Sequence, residues 1–350
     1  MPSPRRVYGS ADPSPAQAGA LTTAVPWLRL TRQMTDGPVF QQRRIKVADA
    51  PVNWGVYGFD PAQPMTLTGD VFLDHVRHAD YDGVELGPPG FMGDAPGTRD
   101  ALADRDLLLV GAYLDLRFSR QETITAELAA LAERARFVAE AAPAGMTPFA
   151  VLSDSTAEPD RLAVACRAEL HPATWLDGAR FETLISNIHR AAEVCHAAGL
   201  LPVLHPHAGT YVETDREIRR VCDRLDGSLV GLCLDTGHAW LGGADPLALL
   251  RDYGPLVRHV HLKDVAPDVL AESRREGWSM EETWERGIFC DLGSGEVPIA
   301  RSIAELQASG YQGWAVVEQD RVLRPGESPD AAAATSLANR DFLAANGLPR

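Results

Sequence analysis

Three short apolar runs between residues 201 and 264 each end in histidine, aspartate or lysine, and this pattern restricts the chain to few folds. The runs read LPVLHPH, LVGLCLD and LVRHVHLKD. They follow one another at about thirty residues, the length of one strand-and-helix unit. A fourth run, GWAVVE, ends on Glu318. Strands with polar side chains at their carboxyl ends are typical of a (β/α)8 TIM barrel, whose active site lies on that face.

Eight β-like runs, most of them followed by a helix-like segment, extend this pattern over residues 45–350. The runs are IKVADAPVNWG, YDGVELG, DLLLVGAYLDL, TPFAVLSD, LLPVLHPH, LVGLCLD, LVRHVHL and GWAVVE. They predict one α/β catalytic domain with the TIM-barrel fold. Residues 1–44 are rich in Pro, Ala, Ser and Gln without a sustained period, which predicts a flexible N-terminal extension. The segment PPGFMGDAPG is predicted to be an irregular loop.

The acidic composition argues against several classes of partner. A formal net charge of -15 disfavours binding to nucleic acid or to an anionic membrane through a basic surface. No apolar run approaches the roughly 20 residues of a membrane span, and we find no secretory signal. The five cysteines have no CxxC spacing, which is typical of free thiols in a reducing compartment. We therefore expect a cytoplasmic protein with a small-molecule substrate, and the composition is compatible with a homo-oligomer.

Histidines and carboxylates gather at the ends of predicted strands 5 to 8. They are His205, His207, Asp235, His238, His259, His261 and Glu318. His259 and His261 alternate with apolar residues, so both point to one face of their strand, the barrel interior. A mixed set of imidazole and carboxylate donors with open positions suits Mn²⁺, Co²⁺, Fe²⁺ or Zn²⁺ better than a closed structural zinc site.

Lysine is almost absent from the chain, which draws attention to Lys263. Of the 33 basic residues only Lys46 and Lys263 are lysines. An ammonium is a compact point charge whose pKa changes readily on burial, whereas a guanidinium stays protonated. Lys263 therefore either has a chemical role among the strand-end histidines or lies there by chance.

The ordered motifs resemble those of the inosose dehydratases, within the xylose-isomerase-like TIM barrels. The motifs are LHPHAGTYVET, LDTGH, HVHLKDV, GIFCDLGSGEV and VVEQD, with APVNWG and DYDGVELG as opening motifs. The resemblance runs from about Ile45 to the C-terminus and leaves the first 44 residues uncovered. It implies the same barrel fold and a divalent metal cofactor, with Mn²⁺ or Co²⁺ favoured over Zn²⁺, Fe²⁺ or Mg²⁺.

The resemblance also implies a set of metal ligands. In the superfamily four ligands stand at the ends of strands 5 to 8, and the last three map to Asp235, His261 and Glu318. The first position, a glutamate in sugar epimerases, is His205 here, and His207 and Glu213 are alternatives for it.

The activity implied by the resemblance is that of a hydro-lyase. Inosose dehydratases convert 2-keto-myo-inositol to a diketone through an enol. His207, His238 and Lys263 are then the predicted catalytic residues, and which histidine is the base stays open. The predicted substrate contacts are Asn53, Trp54, Glu85 and Glu213. Glu213 alternatively caps the helix that begins near Thr214.

Two other activities share the fold. A ketose epimerase or isomerase would use the same barrel and metal, but His205 replaces the glutamate that those epimerases need at strand 5. A metal-dependent DNA repair endonuclease would need further ligands and a basic groove, and a chain of net charge -15 shows no sign of such a groove.

Overall fold

Eight parallel strands close into a barrel, which confirms the predicted TIM-barrel fold. The computed structural model describes residues 44–57, 67–322 and 328–350. The strands are β1 (Lys46–Asp49), β2 (Gly83–Leu86), β3 (Leu108–Leu116), β4 (Phe149–Asp154), β5 (Leu201–His205), β6 (Gly231–Asp235), β7 (Val257–Leu262) and β8 (Trp314–Val317). They pair in chain order, and β1 closes the ring by pairing with β8. The predicted extension 1–44 lies, apart from Arg44, outside the described residues.

Helices follow the strands around the outside of the barrel. They are α1 (Gly69–His78), α2 (Ala95–Ala103), α3 (Ile124–Ala141), α4 (Pro159–Leu162), α5 (Gly178–Ala197), α6 (Asp215–Cys222), α7 (Thr236–Leu241), α8 (Pro246–Tyr253), α9 (Pro267–Glu276), α10 (Met280–Glu285), α11 (Ile299–Ala308) and α12 (Pro329–Ala345). Helix α6 begins with a capping box, in which Thr214 and Glu217 exchange side chain to backbone hydrogen bonds. Within the described ranges, no helix has the length and apolarity that crossing a bilayer requires.

Two predicted elements differ from the structure. Strand β1 ends at Asp49, and a 3-10 turn covers Pro51–Trp54. The segment predicted as an irregular loop contains the start of α2. The Asp94 side chain caps this helix by accepting the N–H of Gly97 at 2.8 Å, and a proline occupies its first turn, where no N–H is required. The glycines and prolines there therefore mark a helix start.

The barrel interior changes from apolar to polar along the strands. Its apolar layer consists of Ala48, Ala50, Val110, Phe149, Val151, Leu201, Val203, Cys233, Trp314 and Val316. Because side chains alternate along a strand, the next inward position lies two residues further on. That position is His205 after Val203, and it is Asp235 after Cys233. The polar set therefore rests on a packed apolar floor.

Candidate metal and active site

Four side chains at the carboxyl ends of β5 to β8 converge on one point. His205 Nε2 lies 3.3 Å from Asp235 Oδ2. His261 Nδ1 lies 3.7 Å from the same oxygen and 3.2 Å from Glu318 Oε2. All four residues are buried. We call them the ligand quartet, since they are the four side chains that the sequence predicts as metal ligands.

The donor atoms of the ligand quartet fit a divalent cation. Bonds of about 2.0–2.2 Å from a cation to nitrogen and oxygen place neighbouring donors about 3.0–3.6 Å apart. Two of the donor separations, 3.2 and 3.3 Å, fall in this range, a third of 3.7 Å lies just above it, and all four donors lie within 4.8 Å of one another. His261 Nδ1 is buried and makes no hydrogen bond, although it faces two carboxylate oxygens. A buried nitrogen lone pair beside carboxylates is what a metal ligand requires, so the residues present suit such an ion.

A further carboxylate holds the other nitrogen of His261. Glu85, on β2, accepts hydrogen bonds at Oε1 from His259 Nε2 at 2.7 Å and from His261 Nε2 at 3.1 Å. Burial disfavours the charged form of this carboxylate, but the interactions with the two histidines outweigh burial and lower the pKa of Glu85 to about 2. A carboxylate on one nitrogen of a histidine orients the other nitrogen toward a metal. Glu85 is therefore placed to orient His261.

The LDTGH segment binds the backbone of Lys263 and packs against its side chain. Thr236 Oγ1 accepts the backbone N–H of this lysine and donates to its carbonyl oxygen, both at 2.9 Å. Gly237 packs so closely that a Cβ atom there would lie 2.8 Å from the lysine Cγ. Asp235 Oδ1 caps α7 by accepting the N–H of His238 at 2.8 Å. The motif thus holds the lysine backbone while Asp235 Oδ2 stays directed into the quartet.

The ammonium group of Lys263 lies among three carboxylates. Nζ is 2.9 Å from Glu318 Oε2, 2.9 Å from Asp320 Oδ2 and 3.4 Å from Asp235 Oδ2. It is also 3.1 Å from His238 Nε2. Burial disfavours the charged ammonium, but the three carboxylates outweigh burial and raise the pKa of Lys263 well above its usual value. Lys263 is therefore a cation in contact with two members of the quartet.

His207 has a ring nitrogen available to accept a proton. Its Nδ1 donates a hydrogen bond to the carbonyl oxygen of Ala208 at 2.8 Å, which leaves Nε2 unprotonated in the neutral ring. Burial, with the charges of His205 and Lys263, lowers the pKa of His207 to about 4. The ring is therefore neutral near pH 7.

His238 lies behind His207 and contacts Lys263. The two imidazole centroids are 3.8 Å apart, and His238 Nδ1 accepts the N–H of Ala208 at 3.3 Å. Burial, followed by the charges of His207 and Lys263, lowers the pKa of His238 well below its usual value. The side chain is buried and does not line the cavity described next.

An open cavity of about 610 Å³ lies over the quartet. Two members of the quartet, His205 and Glu318, line this cavity. Its other lining residues include Glu85, His207, Lys263, Asp320, Tyr57, Tyr113, Arg134, Phe137 and Trp284. A second cavity of about 530 Å³ shares Tyr57, Tyr113, His207 and Trp284 with the first. A cavity of this size, with a few convergent polar groups, is typical of a small-molecule site.

Comparison with known proteins identifies the family. A family model described as a xylose isomerase-like TIM barrel matches residues 73–340. The chain belongs to the xylose isomerase-like TIM barrel family. An inosose dehydratase from Geobacillus kaustophilus is 31% identical to this barrel over 280 residues, which are 79% of this chain and 87% of the relative. The resemblance found from the motifs is thus confirmed.

Solved structures agree with this family assignment at the level of fold. A probable 3-DHS dehydratase from Bacillus anthracis has a TM-score of 0.60 at 14% identity, covering 83% of this chain and 97% of that one. A D-allulose 3-epimerase from Methylomonas sp. also has a TM-score of 0.60, at 13% identity, covering 87% of this chain and 99% of that one. Both reactions occur on this fold, so the xylose isomerase-like barrel alone does not choose between them.

Two predicted substrate contacts of this xylose isomerase-like barrel lie away from the cavity. Asn53 is buried, and its amide donates to the Val317 carbonyl oxygen at 2.8 Å and accepts the N–H of Gln319 at 2.5 Å. Trp54 is 1% exposed and stacks on His75 at a centroid distance of 5.2 Å. Neither lines the cavity. Asn53 therefore bonds the turn after β1 to β8, and Trp54 packs the same turn against α1.

Glu213 is likewise placed away from the cavity. Its two carboxylate oxygens accept the backbone N–H of Cys166 at 2.8 Å and of Gly209 at 2.5 Å. The cap of α6 is Thr214, so Glu213 is not the helix cap, and it does not line the cavity. It ties the loop after β5 to the segment after α4. His207, the other alternative for the first ligand, groups with His238 and not with the quartet.

Asp320 is a site residue that the sequence patterns did not single out. It lies near His207 and His238 and binds Lys263. A signal for it was present, because Asp320 follows Glu318 by two residues, and His207 follows His205 by the same step. Residues two apart on an extended strand end point to the same side.

Proposed function

We propose that this protein is a metal-dependent hydro-lyase that dehydrates a cyclic keto-polyol, with 2-keto-myo-inositol as its substrate and a diketone as its product. The observation that carries the proposal is the ligand quartet at the floor of an open cavity, with His207 and Lys263 beside it. The inosose dehydratase relative at 31% identity supports this choice of reaction.

The proposed cofactor is one divalent cation, Mn²⁺ or Co²⁺, held by the ligand quartet of His205, Asp235, His261 and Glu318. When bound, it supplies Lewis acidity that polarises a ketone oxygen and acidifies the neighbouring C–H. Glu85 keeps His261 in the required orientation by holding its Nε2.

His207 is the proposed general base. It lines the cavity, and its Nδ1–H is held by the Ala208 carbonyl oxygen, so Nε2 is the atom that accepts the α proton. Because the pKa of His207 is lowered to about 4, the imidazole is unprotonated at neutral pH. His238 is buried behind it, with Nε2 3.1 Å from the Lys263 Nζ, which makes His238 the less accessible of the two histidines.

Lys263 is the proposed donor to the departing hydroxyl. Lys263 lines the cavity, and the surrounding carboxylates hold its ammonium charged. A charged donor close to a leaving hydroxyl stabilises the negative charge that develops on that oxygen. Asp320 positions this ammonium through an ion pair of 2.9 Å.

The test is an assay of the Mn²⁺-loaded protein with 2-keto-myo-inositol in D₂O, followed by NMR and ultraviolet absorbance. We expect loss of water from the ring and appearance of a conjugated enol or diketone. The His207→Gln variant should lose most of this turnover, roughly 10²–10⁴-fold for removal of a general base. His171→Gln is the matched control, since His171 is an exposed histidine outside the site.

The same experiment distinguishes the alternative. Deuterium in recovered or epimerised sugar, without loss of water, would contradict dehydration and favour an epimerase or isomerase on the same residues. Full turnover by His207→Gln would remove His207 as the base.

A further inference from the structure

The Lys263 ammonium contacts the oxygens that a cation in the ligand quartet needs. Its Nζ lies 2.9 Å from Glu318 Oε2 and 3.4 Å from Asp235 Oδ2, the same two oxygens that face His261 Nδ1. We propose that this ammonium is a built-in competitor of the metal, which binds Asp235 and Glu318 in the metal-free protein and is retained by Asp320 when the metal enters. The inference rests on the metal-dependent function proposed above.

The competition follows from charge and distance. A divalent cation bound to Asp235 Oδ2 and Glu318 Oε2 would share both oxygens with Nζ, and positive charges so close repel each other strongly in a buried site. The ammonium gives the two carboxylates a partner without metal, which avoids uncompensated buried negative charge. Entry of the metal therefore requires Nζ to give up its contacts with these two residues.

The backbone and the stem of Lys263 are fixed in the site. The residue is 1% exposed, its backbone N–H and carbonyl are both bonded to Thr236, and Gly237 packs against its side chain. Its Nζ also lies 4.7 Å from the centroid of the Phe289 ring. The displaced ammonium therefore stays within reach of the polar groups that already surround it.

Asp320 is the partner that remains for the displaced ammonium. Asp320 Oδ2 is 2.9 Å from Nζ and His238 Nε2 is 3.1 Å from it, and neither residue belongs to the quartet. The site carries three carboxylates around one ammonium, those of Asp235, Glu318 and Asp320. The excess of negative charge is two, which a divalent cation neutralises. The metal and the ammonium can therefore occupy the site together if the ammonium stays on Asp320. Asp320 is then a positioning residue.

The test is the affinity of the full chain for Mn²⁺, measured by isothermal titration calorimetry after removal of metal with a chelator. Lys263→Met should bind Mn²⁺ roughly tenfold more tightly than the wild type, because a competing charge is gone. Lys46→Met is the matched control: it removes the other lysine, which lies at the opposite end of β1 from the site, and should leave the affinity unchanged. Lys263→Gln is the second charge-removing variant if Lys263→Met does not fold.

Asp320→Asn tests the other half of the proposal. It should weaken Mn²⁺ binding several-fold, because the ammonium then stays on Asp235 and Glu318. In the Lys263→Met background the same substitution should lose most of its effect, since no ammonium is left to retain.

Two results would overturn the inference. Unchanged or weaker Mn²⁺ binding by both charge-removing variants of Lys263 would show that the ammonium does not compete. An equal effect of Asp320→Asn with and without Lys263 would show that Asp320 acts on the metal directly. Failure of the wild type to bind Mn²⁺ is a different outcome, since it would overturn the metal-dependent function itself.

Discussion

The two ring nitrogens of His261 face different carboxylates. Nε2 bonds Glu85 at 3.1 Å, while Nδ1 faces Glu318 and Asp235. Glu85 is shared with His259, whose ring stacks on Phe149 in the apolar floor at a centroid distance of 4.6 Å. The direction of a proposed metal ligand is therefore determined by residues that do not themselves reach the metal site.

We expect Glu85→Gln to weaken metal binding. The neutral amide cannot hold both histidines as the carboxylate does, and loss of such a partner typically lowers metal affinity about 10–100-fold. The measurement is Mn²⁺ titration calorimetry. Glu133→Gln is the control, because Glu133 lines the same cavity without a contact to the histidines. Unaltered affinity together with a raised KM would return Glu85 to its predicted role as a substrate contact.

Asp49 is a buried carboxylate without a cationic partner among the groups that bond it. It accepts hydrogen bonds from Asn53 Nδ2, the Ala50 backbone N–H and the Ser336 hydroxyl. Burial outweighs these bonds and raises the pKa of Asp49 from 3.8 to about 6. A pKa that is higher in the folded than in the unfolded protein favours folding at low pH, and this contribution is lost as the pH rises through about 6.

We therefore expect Asp49→Asn to gain stability relative to the wild type as the pH rises. Asn cannot ionise, and its amide N–H can donate to the Ser336 oxygen in place of the bond that the Ser336 hydroxyl now donates to Asp49. A pKa difference of about two corresponds to about 3 kcal/mol, reached between about pH 4 and pH 7. Thermal midpoints of both proteins across that range provide the measurement. A difference that does not change with pH would show that folding does not raise the pKa of Asp49.

At the scale of elements, the loop GSGEV is built around one carboxylate. Asp264 Oδ2 accepts the N–H of Gly293 at 2.8 Å and of Gly295 at 3.0 Å, and Oδ1 accepts the N–H of Val297 at 3.0 Å. Asp264 also begins the two-stranded ribbon that pairs Asp264–Val265 with Phe289–Cys290. The loop therefore joins the end of β7 to the excursion that contains α9 and α10.

We expect Gly295→Ala to destabilise this loop. A Cβ atom at Gly295 would overlap Asp264 Oδ1 and the Val265 carbonyl oxygen, so the carboxylate would have to move away from its N–H partners. Overpacking of this kind costs about 1–3 kcal/mol. Urea unfolding measures the loss. Gly178→Ala is the control, because a Cβ atom there meets nothing within 4 Å, and equal stability of the two variants would contradict the close packing at Gly295.

At the scale of the whole molecule, metal binding should stabilise the barrel, because the ligand quartet joins the ends of four strands. A ligand at 100 times its Kd adds about 2.7 kcal/mol to the free energy of unfolding. We expect Mn²⁺ to raise the thermal midpoint by a few degrees and a chelator to reverse the rise. Asp235→Asn should keep the fold but lose this shift together with turnover. A full Mn²⁺ shift in Asp235→Asn would remove Asp235 from the ligand set.

The sequence by itself determined the barrel and the face that carries the site. The strand period of two and the spacing of the apolar runs are local properties, and they suffice to place His205, Asp235, His261 and Glu318 at neighbouring strand ends. The distances within this quartet then follow from closure of the barrel.

Only the tertiary structure decided which polar groups pair. Glu85 turned out to hold two histidines from the far side of the barrel, and Asn53, Trp54 and Glu213 to join elements away from the cavity. Likewise a helix capped by Asp94 begins in a segment whose composition predicted a loop. The physical reason is that periodicity fixes the face on which a side chain lies, whereas its partner is chosen by distances between segments remote in the chain.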